Sequence, residues 1–231
     1  MSRIIIQILL IGITVVFQAQ AKAEDKTNPA QIVENILQAY GGRAALEGVK
    51  SVKHSGTIQS YRLKKTGSLK RLFVVPGKLL VEMKYPDGPH EQRITTPEGA
   101  WRDGRPATAP MHMAMELQTA RFRLPLLLTQ HPVTILGEDK NKVHLGLKLT
   151  EVSSLEVFVE RKSWRIVRSV GLMAMGEMNI AFTTDYSDFR KVDGVLFAHR
   201  EELTAMGMET GIAVLDRIEV NTETRPEDFK I

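Results

Sequence analysis

The chain contains no cysteine. No disulfide can staple the fold, and no thiol is present to carry a lipid, which excludes lipoprotein processing. No Asn-x-Ser/Thr acceptor occurs, so nothing points to N-glycosylation. There is no Gly-x-Ser-x-Gly elbow, His-Glu-x-x-His pair, phosphate-cradling glycine loop or dinucleotide fingerprint, which argues against an enzyme. A strong charge of one sign is also missing. Taking Arg3 and Lys22 from the 31 basic residues leaves 29, against 27 acidic ones, a net charge of +2 beyond residue 23. So small a balance gives no field for nucleic acid.

What is present begins with an export signature. Arg3 supplies a positive charge. Ile4 to Phe17 is apolar apart from Gln7, Gly12 and Thr14, and Ala21-Lys22-Ala23 offers small residues at the two positions read by signal peptidase. The apolar run is shorter than the ~20 residues of a membrane-spanning helix. Residues 1–23 therefore read as a cleavable signal peptide. The expectation is a soluble periplasmic product of residues 24–231, folding as a single domain with no linker, repeat or low-complexity tract.

Asn28-Pro29 opens a helix, with Asn28 as cap and Pro29 in the first turn. Ile32, Val33, Ile36, Leu37 and Tyr40 recur at spacings of three and four, and Gly41-Gly42 stops the run. A short helical turn over Arg43 to Leu46 follows. From Val49 onward the period changes to two. Leu79, Val81, Met83 and Tyr85 share one phase; so do Val143, Leu145, Leu147 and Leu149. Leu155, Val157 and Val159 continue it, then Trp164, Ile166 and Val170. Met178, Ile180 and Phe182 follow, then Val195 and Phe197, and Ile212, Val214, Ile218 and Val220 end it. Such alternation predicts an antiparallel sheet with one dry and one wet face. Pro86-Asp87-Gly88, Asp103-Gly104, Asp139-Lys140-Asn141, Asp193-Gly194 and Met206-Gly207 mark the turns. Met111 to Arg123 breaks the pattern: Met111, Met115 and Phe122 fall at helical spacing, and Pro125 is expected to end or kink that helix. The predicted layout is helix, about four strands, helix, about seven strands.

Two clusters invite a metal reading. Asp185, Asp188 and Asp193 lie near a turn, but their spacing fits no dedicated calcium loop. The Met-x-Met pairs at Met111/Met113/Met115, Met173/Met175 and Met206/Met208 have the thioethers that favour Cu(I). On a strand, however, alternate positions share a face, and Met fills irregular apolar gaps. The preferred reading is apolar lining, with no metal and no cofactor. A periplasmic Met-rich Cu(I)-binding protein stands as an alternative. The six histidines are scattered, and His144 falls on the polar strand face.

The order of elements carries a resemblance. Ile36-Leu37-Gln38-Ala39-Tyr40-Gly41-Gly42, the stretch Leu46 to Gly56, and Gly99-Ala100-Trp101-Arg102-Asp103-Gly104 before a helix resemble outer-membrane lipoprotein-sorting proteins of the LolA/LolB-like superfamily. So do Tyr186-Ser187-Asp188-Phe189-Arg190-Lys191-Val192-Asp193-Gly194-Val195, Asn221 and Pro226-Glu227-Asp228-Phe229. The resemblance covers most of residues 24–231. It implies an α+β fold, a strongly curved antiparallel half-barrel of about 10–11 strands with helices in its concave face and an apolar cavity for acyl chains. The expected lining is Leu79, Val81, Met83, Met111, Met115, Leu145, Leu147, Val157, Met178, Ile180 and Phe182. The implied partners are a lipid or lipidated protein, with an envelope transporter or outer-membrane acceptor and at most peripheral membrane contact, and the expected state is a monomer. An RseB-like envelope-stress sensor acting by protein contacts is the other reading that the resemblance allows.

Overall fold

A computed structural model describes residues 28–231, so the export segment lies outside the described residues. Helix α1 (Pro29–Ala39) starts as its cap chemistry dictates: the Asn28 side-chain oxygen accepts from the Ala30 N–H at 3.0 Å. Its apolar stripe, Ile32, Val33, Ile36 and Leu37, is buried. The chain turns at Gly41 and Gly42 into α2 (Arg43–Gly48), which buries Leu46.

Six strands follow: β1 (Ser51–Ser60), β2 (Lys65–Val74), β3 (Lys78–Lys84), β4 (His90–Thr96), β5 (Gly99–Arg102) and β6 (Arg105–Pro106). Two helices come next, α3 (Ala109–Arg121) and α4 (Leu124–Gln130). The remainder is β7 (Val133–Glu138), β8 (Lys142–Lys148), β9 (Ser153–Glu160), β10 (Arg165–Met175), β11 (Met178–Val192), β12 (Val195–Ala205), β13 (Met208–Val220) and a 3-10 turn over Pro226–Phe229. No helix among the described residues is long and apolar enough to cross a membrane.

All thirteen strands form one open antiparallel sheet. Its order is β6-β5-β4-β3-β2-β1-β13-β12-β11-β10-β9-β8-β7. The first and last strands thus pair at the middle, while α3 and α4 bridge the two outermost ones. The result is a curved half-barrel with helices in its hollow. The strand count exceeds the expected 10–11 because the short β5 and β6 carry too few residues for alternation to register. Pro125 neither ends nor kinks a helix; it occupies the first turn of α4, where its missing N–H costs nothing.

Bulges decide which face each side chain takes. Between Ile166 and Arg168 the register with β9 shifts by one residue. Ile166 points inward before the shift, and Ser169 and Met173, both fully buried, point inward after it. Val170 is therefore displaced from the dry face to which simple alternation assigns it. In β13 the partners Arg217 and Leu215 are consecutive in the ladder with β1, so Asp216 is the extra residue. Ala213, Leu215 and Ile218 consequently share the buried side, and Ile212 and Val214 lie on the other face. One inserted residue inverts every side chain beyond it. Beside this bulge the two strands approach closely: a Cβ on Gly56 would lie 2.0 Å from the Val214 carbonyl oxygen.

Two apolar clusters result. The larger joins α1, α2, α3 and α4 to β8, β9, β10 and β12 through Ile36, Leu46, Leu117, Leu128, Leu145, Leu155, Ile166 and Val195. The smaller is built on β1, β2, β3 and β13 around Phe73, Leu79, Val81 and Leu215.

Candidate ligand cavity

A cavity of about 150 Å³ lies between the sheet centre and the helices. Its apolar wall includes Leu46, Phe122, Leu124, Pro125, Ile166, Val195 and Phe197; its polar wall includes His54, Arg71, Arg121, Thr184, Tyr186 and Glu201. A second cavity of about 280 Å³ adjoins it and shares Leu46, Phe122, Pro125, Val195 and Phe197. The apolar part of its own lining includes Val49, Val52, Phe73, Val75 and Leu126.

Register explains why polar groups sit inside. Arg71 falls between Leu69 and Phe73 in the inward phase of β2. His54 follows Val52 in the inward phase of β1, and Glu201 follows His199 in that of β12. In β11 Thr184 and Tyr186 point inward. Phe189 also borders the cavity, beyond Asp188, which holds a positive φ of 52° and is unpaired in the ladder with β12.

Arg71 is 6% exposed. Its Nη1 donates to both carboxylate oxygens of Glu201, at 2.9 and 2.8 Å. Arg121, at the last turn of α3, donates from Nη2 to the Phe182 carbonyl at 2.6 Å. Its guanidinium fits there because Gly171 has no side chain: a Cβ would lie 3.1 Å from Nη2. The Nε atoms of Arg71 and Arg121 are buried without a partner, as are both ring nitrogens of His54. Burial lowers the pKa of Arg121; Tyr186 and Glu201 oppose this, and Arg71 adds to it. Burial also holds His54 well below the ordinary imidazole value, with Arg71 and His199 reinforcing the effect. His54 is thus a neutral ring at pH 7.

Aromatic packing separates the two cavities. Phe122 stacks on His54 and on Phe73, with ring centroids 5.2 Å apart in each pair. At the far wall Tyr186 Oη and Ser169 Oγ are 2.8 Å apart, and Tyr40 Oη accepts from the Ile166 N–H at 3.2 Å. Burial raises both tyrosine pKa values, so both are neutral phenols.

None of the eleven side chains expected as lining borders either cavity. Leu145, Leu147 and Val157 are buried in the larger cluster, with Ile180 and Phe182 packed against it. Leu79 and Val81 are buried in the smaller one, with Met83 beside it. Met115 is buried on α3, Met111 is half-buried, and Met178 is exposed at the β10–β11 turn. Met206 and Met208 are likewise exposed, while Met173 is buried. His144 pairs with Glu156 at 2.9 Å and stacks on Phe158. Asp185 and Asp188 pair with Arg168 and Arg190. Among the described residues no group of three or more His, Asp or Glu side chains is placed to hold a metal. The polar wall was accessible to sequence reasoning through one signal: a charged or ionisable residue in the apolar phase of a strand, as in Leu69-Lys70-Arg71-Leu72-Phe73.

No known family and no curated protein matches the sequence. The fold, by contrast, is shared with solved structures. A LolA superfamily protein from Nitrosomonas europaea superposes with a TM-score of 0.53 at 10% identity, covering 89% of this chain and 98% of that one. A DUF1329 family protein from Desulfovibrio piger gives a TM-score of 0.51 at 11% identity, covering 88% and 98%. At such identities the likeness is one of fold.

Proposed function

We propose that this chain, with its LolA-like fold, is a non-enzymatic carrier of the cell envelope that shields an acyl chain or similar amphiphile between sheet and helices. The observation that carries the reading is the largely apolar cavity against α3 and α4, with a second cavity behind the shared Phe122 wall. Size sets the terms. An apolar cavity of roughly 150 Å³ holds a body the size of benzene. A longer chain must continue into the second space. Burying ten methylenes at ~0.8 kcal/mol each contributes roughly 8 kcal/mol. Association and chain ordering remove several kcal/mol of that, so a partly preformed path is needed for useful affinity. The export signature over residues 1–23 fits a periplasmic site of action for residues 24–231, acting as one domain. Handover to a transporter or an outer-membrane acceptor is the corresponding partner role.

The test is native mass spectrometry of protein isolated from its own envelope, followed by extraction and identification of the bound molecule. A stoichiometric amphiphile is the expected result. A well-folded protein that carries none, and binds no fatty acid, fatty alcohol, phospholipid or lipopeptide below their micelle thresholds, would remove the carrier reading.

A further inference from the structure

The polar wall of the first cavity is unbalanced in one direction. Arg71 and Arg121 bring two positive charges and Glu201 one negative charge, while His54 is neutral. One cation is therefore left over inside. Unpartnered hydrogen-bond donors point the same way. The Nε–H groups of Arg71 and Arg121 have no acceptor, and neither does the ring N–H of His54, a residue 6% exposed. Orphaned buried donors are costly, and a purely hydrocarbon ligand would leave all of them orphaned. A group that only accepts and carries negative charge answers both deficits at once. The rest of the wall, from Leu124 and Ile166 to Phe197, asks for an apolar body attached to that group.

Resting on the carrier reading above, we infer that the ligand is a single-chain oxyanion. Its carboxylate lies among Arg121, Arg71 and His54, and its alkyl tail passes the Phe122 wall into the second cavity. The head is on the inside and the tail extends from it, so the site selects by charge first and by chain length second. A carboxylate suits the small first cavity better than a phosphate, which brings more oxygens to satisfy and more charge than the single surplus cation balances. A neutral chain of equal length loses the ionic contact but keeps the apolar one.

The experiment uses delipidated protein spanning residues 24–231 and calorimetric titration with four probes below their micelle thresholds: decanoate, decanol, decyl phosphate and decyltrimethylammonium. Decanoate is expected to bind about tenfold or more tighter than decanol, the range of a buried charge-assisted hydrogen bond. The ammonium probe should bind weakest of the four. Arg121→Gln should erase the preference for decanoate while leaving decanol binding in place, which also certifies that the variant is folded; Arg121→Lys should restore part of the preference. His54→Phe keeps the ring stack, removes the N–H, and should weaken decanoate severalfold. Equal affinities for decanoate and decanol in the wild type would overturn the inference and leave the carrier reading standing. Tighter binding of decyl phosphate than decanoate would overturn the carboxylate assignment. An unchanged preference in Arg121→Gln would overturn the assigned position of the head.

Discussion

Consider replacing Glu201 by Gln. The wild-type interior holds Arg71, Arg121 and Glu201, and the Arg71 and Glu201 side chains are 6% and 14% exposed. Gln at 201 keeps the shape but leaves two guanidinium groups on one cavity wall with no carboxylate. Breaking a buried pair by removing one partner costs about 3–5 kcal/mol. The second cation places this case toward the upper part, at about 4 kcal/mol. Replacing Arg71 by Met is a different perturbation. Glu201 then retains Arg121, whose charge already acts on it, so the expected loss is smaller, about 2 kcal/mol by the same reasoning. The double variant Arg71→Met/Glu201→Met returns the interior to one cation. It should lie within about 1 kcal/mol of wild type, because replacing a buried ion pair by apolar side chains is often neutral. The coupling energy from the resulting cycle is therefore large and favourable. Urea unfolding at pH 7 gives the free energies. Thermal melting gives the same order, with Glu201→Gln lower by roughly 10 °C at ~2–4 °C per kcal/mol for a chain of this size. A loss below 1 kcal/mol in both single variants, or a larger loss in Arg71→Met than in Glu201→Gln, would refute the three-charge account of the interior.

Stability should also depend on pH through His54. Its pKa is lowered by folding, so the unfolded chain takes up a proton near the ordinary value of ~6.5 that the folded chain refuses. Wild-type stability is therefore complete above that pH and falls below it by up to ~1.4 kcal/mol per pH unit from this group, continuing down toward the folded pKa. The His54→Phe variant should show a shallower loss in urea titrations between pH 7 and 5; an identical slope would remove the assignment. Gly56→Ala should destabilise by about 3 kcal/mol, because the new methyl meets the Val214 carbonyl oxygen where backbone must move; a neutral effect in thermal melting would contradict the close strand approach. Intact-mass analysis of exported protein should show Glu24 as the first residue, and a product retaining residues 4–17 would instead indicate an anchor.

Local chemistry was enough for much of the architecture. Asn28-Pro29 and the stripe from Ile32 to Tyr40 specify α1, since a cap, a proline in the first turn and a 3.6 period act within a few residues of one another. Val143, Leu145, Leu147, Leu155, Val157 and Val159 specify buried strands because their alternation runs through β8 and β9 without a bulge. Where the ladder slips, at Val167 and Asp216, the same alternation assigns Val170, Ile212 and Val214 to the wrong face. A bulge is a property of two strands in register, and neither strand announces it alone. The cavity belongs to that second category. Arg71 and Glu201 are 130 residues apart and meet only because β1 pairs with β13 at the middle of the sheet. Arg121 reaches the Phe182 carbonyl only because α3 crosses the hollow over Gly171. Composition and periodicity could say that a dry face exists and that soft apolar side chains are plentiful. They could not say that the space left open would be walled by two arginines, a glutamate and an unpartnered histidine, because where side chains fail to fill a hollow is decided by the packing of all its walls together.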